Sequence, residues 1–283
     1  MQFGLVGSEM CIRDSYRRDF TVNALYYCPV SKKIVGHKKG LRDIHQKNIV
    51  SIGDPIKRFS EDPVRSLRAI RFSSKLKFKI DKKVKEAIYE KGYLLSNISN
   101  ARLFDEFCKI FLSGMAEKNF NKLLSYDLNK YLISTESEKN EFTKKLITES
   151  LRNTDIRIKN VQSVTPGFLI AALLWPELLE KSVMKNEINL RKFFRSMDVV
   201  LRKQQKITAI PRKFNSYIKD IWVLQLKLHS RIGKQPYKTL RHPRFRAAYD
   251  FLLIREKAAN ETKNLGKWWT DFQINDDNIK RSL

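Results

Sequence analysis

Residues 52–72 read IGDPIKRFSEDPVRSLRAIRF, and the periodicity of the chain becomes helical within this stretch. Its Asp62-Pro63 pair is a typical helix start, because an Asp side chain caps backbone N–H groups and Pro is favoured at the first helical position. Apolar residues then recur every three positions, at Val64, Leu67 and Ile70, which lays them along one side of a helix. The stretch therefore predicts a helix that starts at Asp62-Pro63 and buries one face.

Charged residues of the same stretch form a candidate nucleotide-binding set. Glu61 and Asp62 lie at the helix N-terminus, where negative charge is favoured, and Arg65 and Arg68 follow at helical spacing. A carboxylate accepts from the exocyclic amine of a base, and an Arg donates to ring nitrogen and carbonyl acceptors, so the set could read a base edge. The alternative stays open that Asp62 only caps the helix and that the arginines pair with Glu61 or solvent.

A second candidate nucleotide-binding set lies upstream, at Arg17, Arg18 and Asp19, followed by Asn23. Two adjacent guanidiniums suit bidentate contact with triphosphate oxygens, and a carboxylate beside them could reach a ribose hydroxyl. An Arg-Arg-Asp tripeptide is also a common ion-pair pattern of protein surfaces, and this alternative stays open as well.

The pattern of the chain changes from α+β to helical at about residue 54. Upstream, residues 33–35 and 49–52 predict short strands, whereas residues 20–27 leave strand and helix open. Downstream, the periodicity is that of helices. Predicted helices cover residues 84–95, 101–113, 118–127 and 167–179. The last of these is apolar on all sides and follows Thr165-Pro166, so it is predicted to be buried, whereas residues 136–149 predict a solvated helix or loop.

Composition points to a polyanionic partner. The 283 residues carry 56 Lys+Arg against 30 Asp+Glu, a formal net charge of +26, which favours nucleic acid first and an anionic membrane second. The longest apolar run, residues 168–175, is too short to cross a bilayer, so no membrane partner is expected. Cys11, Cys28 and Cys108 form no CxxC pair, which indicates a reducing compartment, the cytoplasm, and no structural metal.

The last third of the chain is predicted to bind RNA. From Leu201 to Lys257 there are fifteen Lys and Arg residues against three acidic residues. This excess favours neutralisation of an RNA backbone, and interleaved aromatic residues favour base stacking, although a solvated charged face remains the alternative. The interleaved aromatic residues are Trp222, Tyr237, Phe245, Tyr249, Trp268 and Trp269. The candidate RNA contacts are Arg212, Lys213, Lys234, Lys238, Arg241, Arg244 and Arg246.

The order and spacing of these motifs resemble the class II nucleotidyltransferases, which include bacterial poly(A) polymerases and tRNA CCA-adding enzymes. The resemblance starts with RRDFTVNALYY at residues 17–27, continues through a Gly/Asp turn to residues 52–72, and includes ARLFDE at residues 101–106. The form of residues 52–72 and the extended basic region, with residues 207–228 and 242–253, favour the poly(A) polymerase branch.

The resemblance implies an activity and roles for the two candidate sets. It implies template-independent addition of AMP from ATP to RNA 3′ ends of mRNA, small RNA or tRNA, with Mg²⁺ and with RNA-decay proteins as candidate partners. Arg17, Arg18 and Asp19 would contact the triphosphate and ribose. The nucleotide-selecting helix would be formed by Glu61, Asp62, Arg65 and Arg68. CCA addition to tRNA is the alternative activity, and non-catalytic RNA binding is the second alternative.

The resemblance also implies a fold in five parts. We expect an α+β remnant of a nucleotidyltransferase head at residues 16–53, followed by a mainly α-helical neck, body and basic C-terminal domain. The three helical parts would cover residues 54–130, 131–200 and 201–283. Residues 1–15 are unlike the rest and are expected to be non-native. No Asp-x-Asp pair of the kind that holds Mg²⁺ in this family occurs in the sequence, so these 283 residues alone are expected to have no catalytic residues and to be inactive.

Overall fold

A computed structural model describes residues 13–29, 32–136, 139–184, 187–259 and 264–281, with the backbone alone for residues 259 and 275–281. The chain divides into two units. The N-terminal unit comprises Met1–Ile110 and Lys118–Tyr131, and the C-terminal unit comprises Phe111–Glu117 and Leu132–Leu283. The described part is mainly helical, as the sequence predicts, with small two-stranded sheets.

The N-terminal unit begins with a small antiparallel sheet. Strand β1 (Leu25–Cys28) pairs with β2 (Lys33–Gly36), which confirms the strand predicted at residues 33–35. Residues 20–27, for which the sequence allowed either strand or helix, form a 3₁₀ turn at Thr21–Asn23 followed by strand β1. Helix α1 (Gly40–His45) follows, and a Cβ at Gly40 would lie 2.8 Å from the Thr21 carbonyl oxygen. Glycine is therefore required where α1 meets the 3₁₀ turn.

A parallel strand pair follows in the same unit. Strand β3 (Asn48–Ile49) pairs with β4 (Lys79–Ile80), and Phe20 forms an isolated bridge with Ser51. The strand predicted at residues 49–52 is therefore shorter than expected. The chain turns at Gly53, whose φ of 77° suits glycine, before the next helix begins.

Helices make up the rest of the N-terminal unit: α2 (Pro55–Glu61), α3 (Val64–Leu76), α4 (Lys82–Lys91), α5 (Asn100–Phe111) and α6 (Ala116–Ser125). The Asp54 and Asp81 side chains accept from Ile56 and Lys83 N–H and so cap α2 and α4. The apolar stripe of α3 is buried, as predicted. The predicted helix over residues 84–95 becomes α4 followed by a 3₁₀ segment, Gly92–Asn97.

The C-terminal unit is organised around one fully buried helix. It contains α7 (Glu141–Lys159), α8 (Pro166–Ser182), a hairpin of β5 (Val183–Met184) and β6 (Glu187–Ile188), and α9 (Leu190–Gln205). Thr165 caps α8 by accepting from Phe168 N–H at 3.2 Å. Helix α8 is buried on all sides from Gly167 to Leu178, which confirms the predicted buried helix. The stretch 136–149 becomes helical from Glu141 and buries Leu146 and Ile147.

The basic end of the chain completes this unit with α10 (Arg212–Lys227), α11 (Gln235–Leu240), α12 (Phe245–Ala259) and α13 (Leu265–Arg281). Trp222 of α10 is fully buried and donates its indole N–H to the Ala171 carbonyl at 2.9 Å. Trp269 of α13 is also buried and donates to the Leu228 carbonyl at 2.9 Å. Trp175 of α8 is the third buried tryptophan.

The expected boundary between residues 200 and 201 falls inside α9. Separate body and RNA-binding domains therefore stay a prediction. None of the described helices is both long and apolar enough to cross a lipid bilayer.

Candidate functional site

Asp19 lies between two arginines of helix α3. Its Oδ1 accepts from Arg65 Nε at 2.9 Å, and its Oδ2 pairs with an Arg68 guanidinium nitrogen at 2.7 Å. The residue is 6% exposed, and its carbonyl accepts from Ile52 N–H at 3.0 Å, which fixes its backbone. Charge-assisted bonds of this length are among the strong hydrogen bonds of proteins. Both carboxylate oxygens are engaged, so the geometry assigns Asp19 to the orientation of the two guanidiniums.

Arg58 is a residue of this cluster that the sequence analysis missed. One of its guanidinium nitrogens donates to the Arg17 and Arg18 carbonyls, at 3.1 and 2.8 Å, and the other pairs with Glu61 at 3.3 Å. Arg65 in turn donates to the Arg58 carbonyl at 2.6 Å and to Glu61 at 3.3 Å. Arg58 thus ties the Arg-Arg-Asp segment to the start of α3. The available sequence signal was its position one helical turn before Glu61.

Asp62 lies where α2 ends and α3 begins. Its Oδ1 accepts from Val64 N–H at 3.3 Å, and its Oδ2 pairs with Arg102 at 2.7 Å. Asp62 was predicted as the N-cap of this helix, but α3 starts at Val64, one residue later than predicted, and its N-cap residue is Pro63, which has no side-chain cap. Arg102 has no local sequence signal, because it comes from α5, forty residues away. A base that hydrogen-bonds to Asp62 would have to displace Arg102.

Arg17 and Arg18 have exposed side chains, in contrast to Asp19. Arg18 donates through Nε to the Tyr26 hydroxyl at 2.9 Å and pairs with Asp14 at 3.0 Å. Tyr26 also donates to Asp14 at 2.5 Å, and this hydrogen bond, with a smaller contribution from Arg18, lowers the pKa of Asp14. Arg17 therefore offers the less engaged guanidinium of the two.

Asn23 has a backbone role in the structure. Its Oδ1 accepts from Phe20 N–H at 3.1 Å, which closes the 3₁₀ turn that precedes β1. The structure thus brings together Asp19, Glu61, Arg65 and Arg68, and it engages Asn23 and Asp62 with protein partners.

Carboxylates of the described residues do not fit a Mg²⁺ ion. Each oxygen of the Asp19 carboxylate is paired with an arginine, Oδ1 with Arg65 and Oδ2 with Arg68. Within the ranges that the structure describes, no group of three or more His, Cys, Asp or Glu side chains is placed to hold a metal.

The seven predicted RNA contacts all lie in the C-terminal unit and are all exposed. Arg244 and Arg246 line a cavity of about 220 Å³ together with Tyr217, Arg157 and Asp250. The Arg244 guanidinium lies 4.8 Å from the centre of the Tyr217 ring, a cation–π geometry. Among the described residues that line this cavity, Asp250 is the acidic one, and it pairs with Arg246 at 3.1 Å and with Arg157 at 3.2 Å. Burial raises the pKa of Asp250, and Arg246 and Arg157 oppose this rise.

The interleaved aromatic residues separate into two groups. Trp222, Phe245, Tyr249 and Trp269 are buried, and the last three belong to one hydrophobic cluster between α10, α12 and α13. For these four the prediction of base stacking is wrong, because helical spacing placed them on the inner faces of amphipathic helices. Tyr237, at 42% exposed, and the half-buried Trp268 remain at the surface.

Three family models match successive parts of the chain. The poly(A) polymerase head domain matches residues 6–50, the probable RNA and SrmB-binding site of polymerase A matches residues 77–136, and the polymerase A arginine-rich C-terminus matches residues 185–283. Together they cover most of both units.

Curated relatives give the same picture. Poly(A) polymerase I of Haemophilus influenzae is 38% identical over 282 residues, which is 96% of this chain and 62% of that protein. The chain thus spans about three fifths of the length of this relative. A CCA-adding enzyme of Pediococcus pentosaceus is 40% identical over 118 residues, which is 42% of this chain and 30% of that protein.

The fold matches solved nucleotidyltransferases. The structure of a tRNA nucleotidyltransferase complexed with a primer tRNA and an incoming ATP analog superposes with a TM-score of 0.65, covering 94% of this chain and 74% of that chain at 19% identity. At this identity the match shows a common fold.

Proposed function

Because the chain belongs to the bacterial poly(A) polymerase family, a family of nucleotidyltransferases, we propose that the protein takes part in template-independent addition of AMP from ATP to RNA 3′ ends. The observation that carries this choice is the extent of the match. The poly(A) polymerase relative aligns with 96% of the chain, whereas the CCA-adding relative aligns with 42%. The arginine-rich C-terminal match supports the same branch.

The cluster around Asp19 supports a role in nucleotide selection. One buried carboxylate orients both guanidiniums before a ligand binds. Binding of a base therefore costs little side-chain conformational entropy. Arg65 and Arg68 would donate to acceptors on the adenine ring. The exposed Arg17 would contact the triphosphate, and Arg18 would join it by exchanging Asp14 for phosphate oxygens.

RNA is proposed to bind the basic surface of the C-terminal unit. Seven exposed cations neutralise phosphates there, and release of counterions makes such binding weaken as salt increases. The RNA would be a 3′ end of mRNA, small RNA or tRNA, and RNA-decay proteins remain proposed partners. A cytoplasmic location follows from these substrates. Mg²⁺ is proposed for the whole enzyme only, since the described carboxylates do not fit it.

An extension assay with single nucleotides tests the activity. The 283-residue chain would be compared with a chimera in which the part of the H. influenzae relative that precedes its match replaces residues 1–15. Each protein is incubated with end-labelled RNA, Mg²⁺ and either ATP or CTP. We expect long tails with ATP from the chimera, and no extension by the 283 residues alone.

Other outcomes of this assay would select a different function. Incorporation of CTP that stops after two residues would identify the CCA-adding alternative, which the match to such an enzyme over 42% of the chain supports. Absence of any extension by the chimera, with RNA binding intact, would leave a non-catalytic RNA-binding protein.

A further inference from the structure

Three aromatic rings meet at the surface of the C-terminal unit. Trp268 and Phe272, one turn apart on α13, stack nearly parallel, with ring centres 4.9 Å apart and an interplanar angle of 11°. Tyr237 of α11 meets the Phe272 ring edge-on at 5.0 Å. We call these three residues the aromatic platform. Its members are partly exposed, with Tyr237 the most exposed at 42%.

The platform rests on the hydrophobic core of the unit. Trp269, which is fully buried, contacts both Trp268 and Phe272, with ring centres at 5.0 and 5.6 Å. Phe245 also packs against Trp269, with ring centres 5.2 Å apart. The buried Trp269 therefore fixes the positions of the platform rings. A ligand that stacks on them would not pay the entropy cost of ordering these side chains.

Basic residues surround Tyr237 in the sequence, and one of them lies over the platform. Between Asp220 and Asp250 the sequence contains seven Lys and Arg residues and no acidic residue. The Arg231 guanidinium lies 6.0 Å from the centre of the Trp268 ring. Lys234 and Lys238 are exposed at the start of α11 and within it, on either side of Tyr237 in sequence. The acidic residues close to Phe272 in sequence are Asp271, which precedes it, and Asp276 and Asp277, which follow it.

These three cations are available for a ligand. In the part of the chain that the structure describes, Arg231, Lys234 and Lys238 form no ion pair, whereas Arg246 is engaged by Asp250. The loop before α11 also leaves room, since a Cβ placed at Gly233 would meet no atom within 4 Å. An open, basic surface with fixed rings is complementary to a polyanion that carries flat bases.

We propose that the aromatic platform stacks bases of single-stranded RNA while Arg231, Lys234 and Lys238 hold the adjoining phosphates. The proposal rests on the proposed function for its ligand, RNA, and adds the place and the mode of binding. Stacking on aromatic rings tolerates any base, because every base has a π face, and basic side chains track the backbone. The platform would thus bind a single-stranded RNA 3′ end independently of its sequence.

Equilibrium binding of end-labelled oligo(A) of about twelve nucleotides to the 283-residue chain tests the platform. We expect Tyr237→Leu and Phe272→Leu each to weaken binding at least about fivefold, since each removes one stacking ring. Tyr237→Phe keeps the ring and should bind as the unchanged chain does. The matched control is Phe194→Leu, which removes a ring that is 47% exposed on α9 of the same unit.

An abasic oligonucleotide of the same length separates stacking from phosphate binding. It should bind the unchanged chain and Tyr237→Leu equally well, because it has phosphates and no bases. Unchanged oligo(A) affinity in both leucine variants would overturn the proposal. So would equal losses with oligo(A) and abasic RNA, or a loss of the same size in Phe194→Leu.

The outcomes also separate the platform from the proposed function. If the unchanged chain bound an acidic peptide at this surface and no RNA, both the platform and the RNA part of the proposed function would be overturned. Normal oligo(A) binding with the expected variant losses, together with no AMP addition by the chimera, would leave the platform standing and overturn the activity.

Discussion

Asp19 and Arg65, 46 residues apart in sequence, are joined by a 2.9 Å ion pair that is largely buried on both sides. We predict that Asp19→Asn lowers the free energy of unfolding by about 3 kcal/mol, because it removes the buried counter-charge that Arg65 and Arg68 share. ATP affinity should fall about tenfold or more, since the two guanidiniums lose their orientation. Urea denaturation followed by circular dichroism and equilibrium dialysis with ATP measure the two effects.

The matched control for this prediction is Asp43→Asn. Asp43 is as buried as Asp19 and accepts from the Thr21 hydroxyl at 2.7 Å, but it contacts neither Arg65 nor Arg68. Asp43→Asn should lower the free energy of unfolding but change the ATP affinity by no more than about twofold. Equal losses of ATP affinity in the two variants would show that Asp19 acts through the fold alone.

Arg65→Ala should separate nucleotide binding from RNA binding. We expect ATP affinity to fall about tenfold, the scale of one good contact between an Arg and a base, and RNA affinity to stay within about twofold. Arg71→Ala is the control, since Arg71 lies on the same helix and does not contact Asp19. The assignment fails if ATP and RNA binding decrease together, or if Arg71→Ala has the same effect as Arg65→Ala.

Changing Arg241, Arg244 and Arg246 together to Gln should weaken RNA binding and flatten its dependence on salt. For single-stranded RNA each lost phosphate contact reduces the slope of log K against log salt by about 0.7, so three contacts predict a change of about 2. Changing Arg191, Lys192 and Arg195 of α9 removes the same charge from exposed positions outside the predicted set. A slope that both triple variants reduce equally would show that net charge, not this surface, binds RNA.

Cys108 should react slowly with alkylating reagents at neutral pH. Burial, with help from Asp105, raises the pKa of its thiol to about 11. A raised thiol pKa keeps the unreactive protonated form, so at pH 8 only about one thiol in a thousand is ionised. Alkylation by iodoacetamide, followed by mass spectrometry, should accelerate about tenfold per pH unit up to about pH 10. The same cysteine in urea is the reference, and equal rates at pH 8 in both states would contradict the prediction.

Local signals in the sequence predicted local structure well. The apolar stripe of α3 and the buried α8 reappear, and α3 starts one residue after the position predicted from Asp62-Pro63, because helical periodicity and helix-start signals act over a few residues. Strands β4, β5 and β6 were not predicted, since two residues are too few to show a period of two.

The candidate site was harder to predict than the fold. The residue types of Asp19, Arg65 and Arg68 pointed to nucleotide chemistry, but their mutual ion pairs depend on contacts across 46 residues. Arg102 was missed for the same reason. Aromatic residues of the basic region were over-assigned to RNA, because sequence spacing does not separate the inner from the outer face of a short basic helix.

The positions of the tryptophans make it possible to follow one of the two units separately by fluorescence. All four, Trp175, Trp222, Trp268 and Trp269, belong to the C-terminal unit, so indole emission reports that unit and leaves the N-terminal unit dark. Emission and far-ultraviolet dichroism would give coincident unfolding curves only if the two units melt as one. An ATP-induced stabilisation visible in dichroism but not in emission would then place the nucleotide in the dark unit without any mutation.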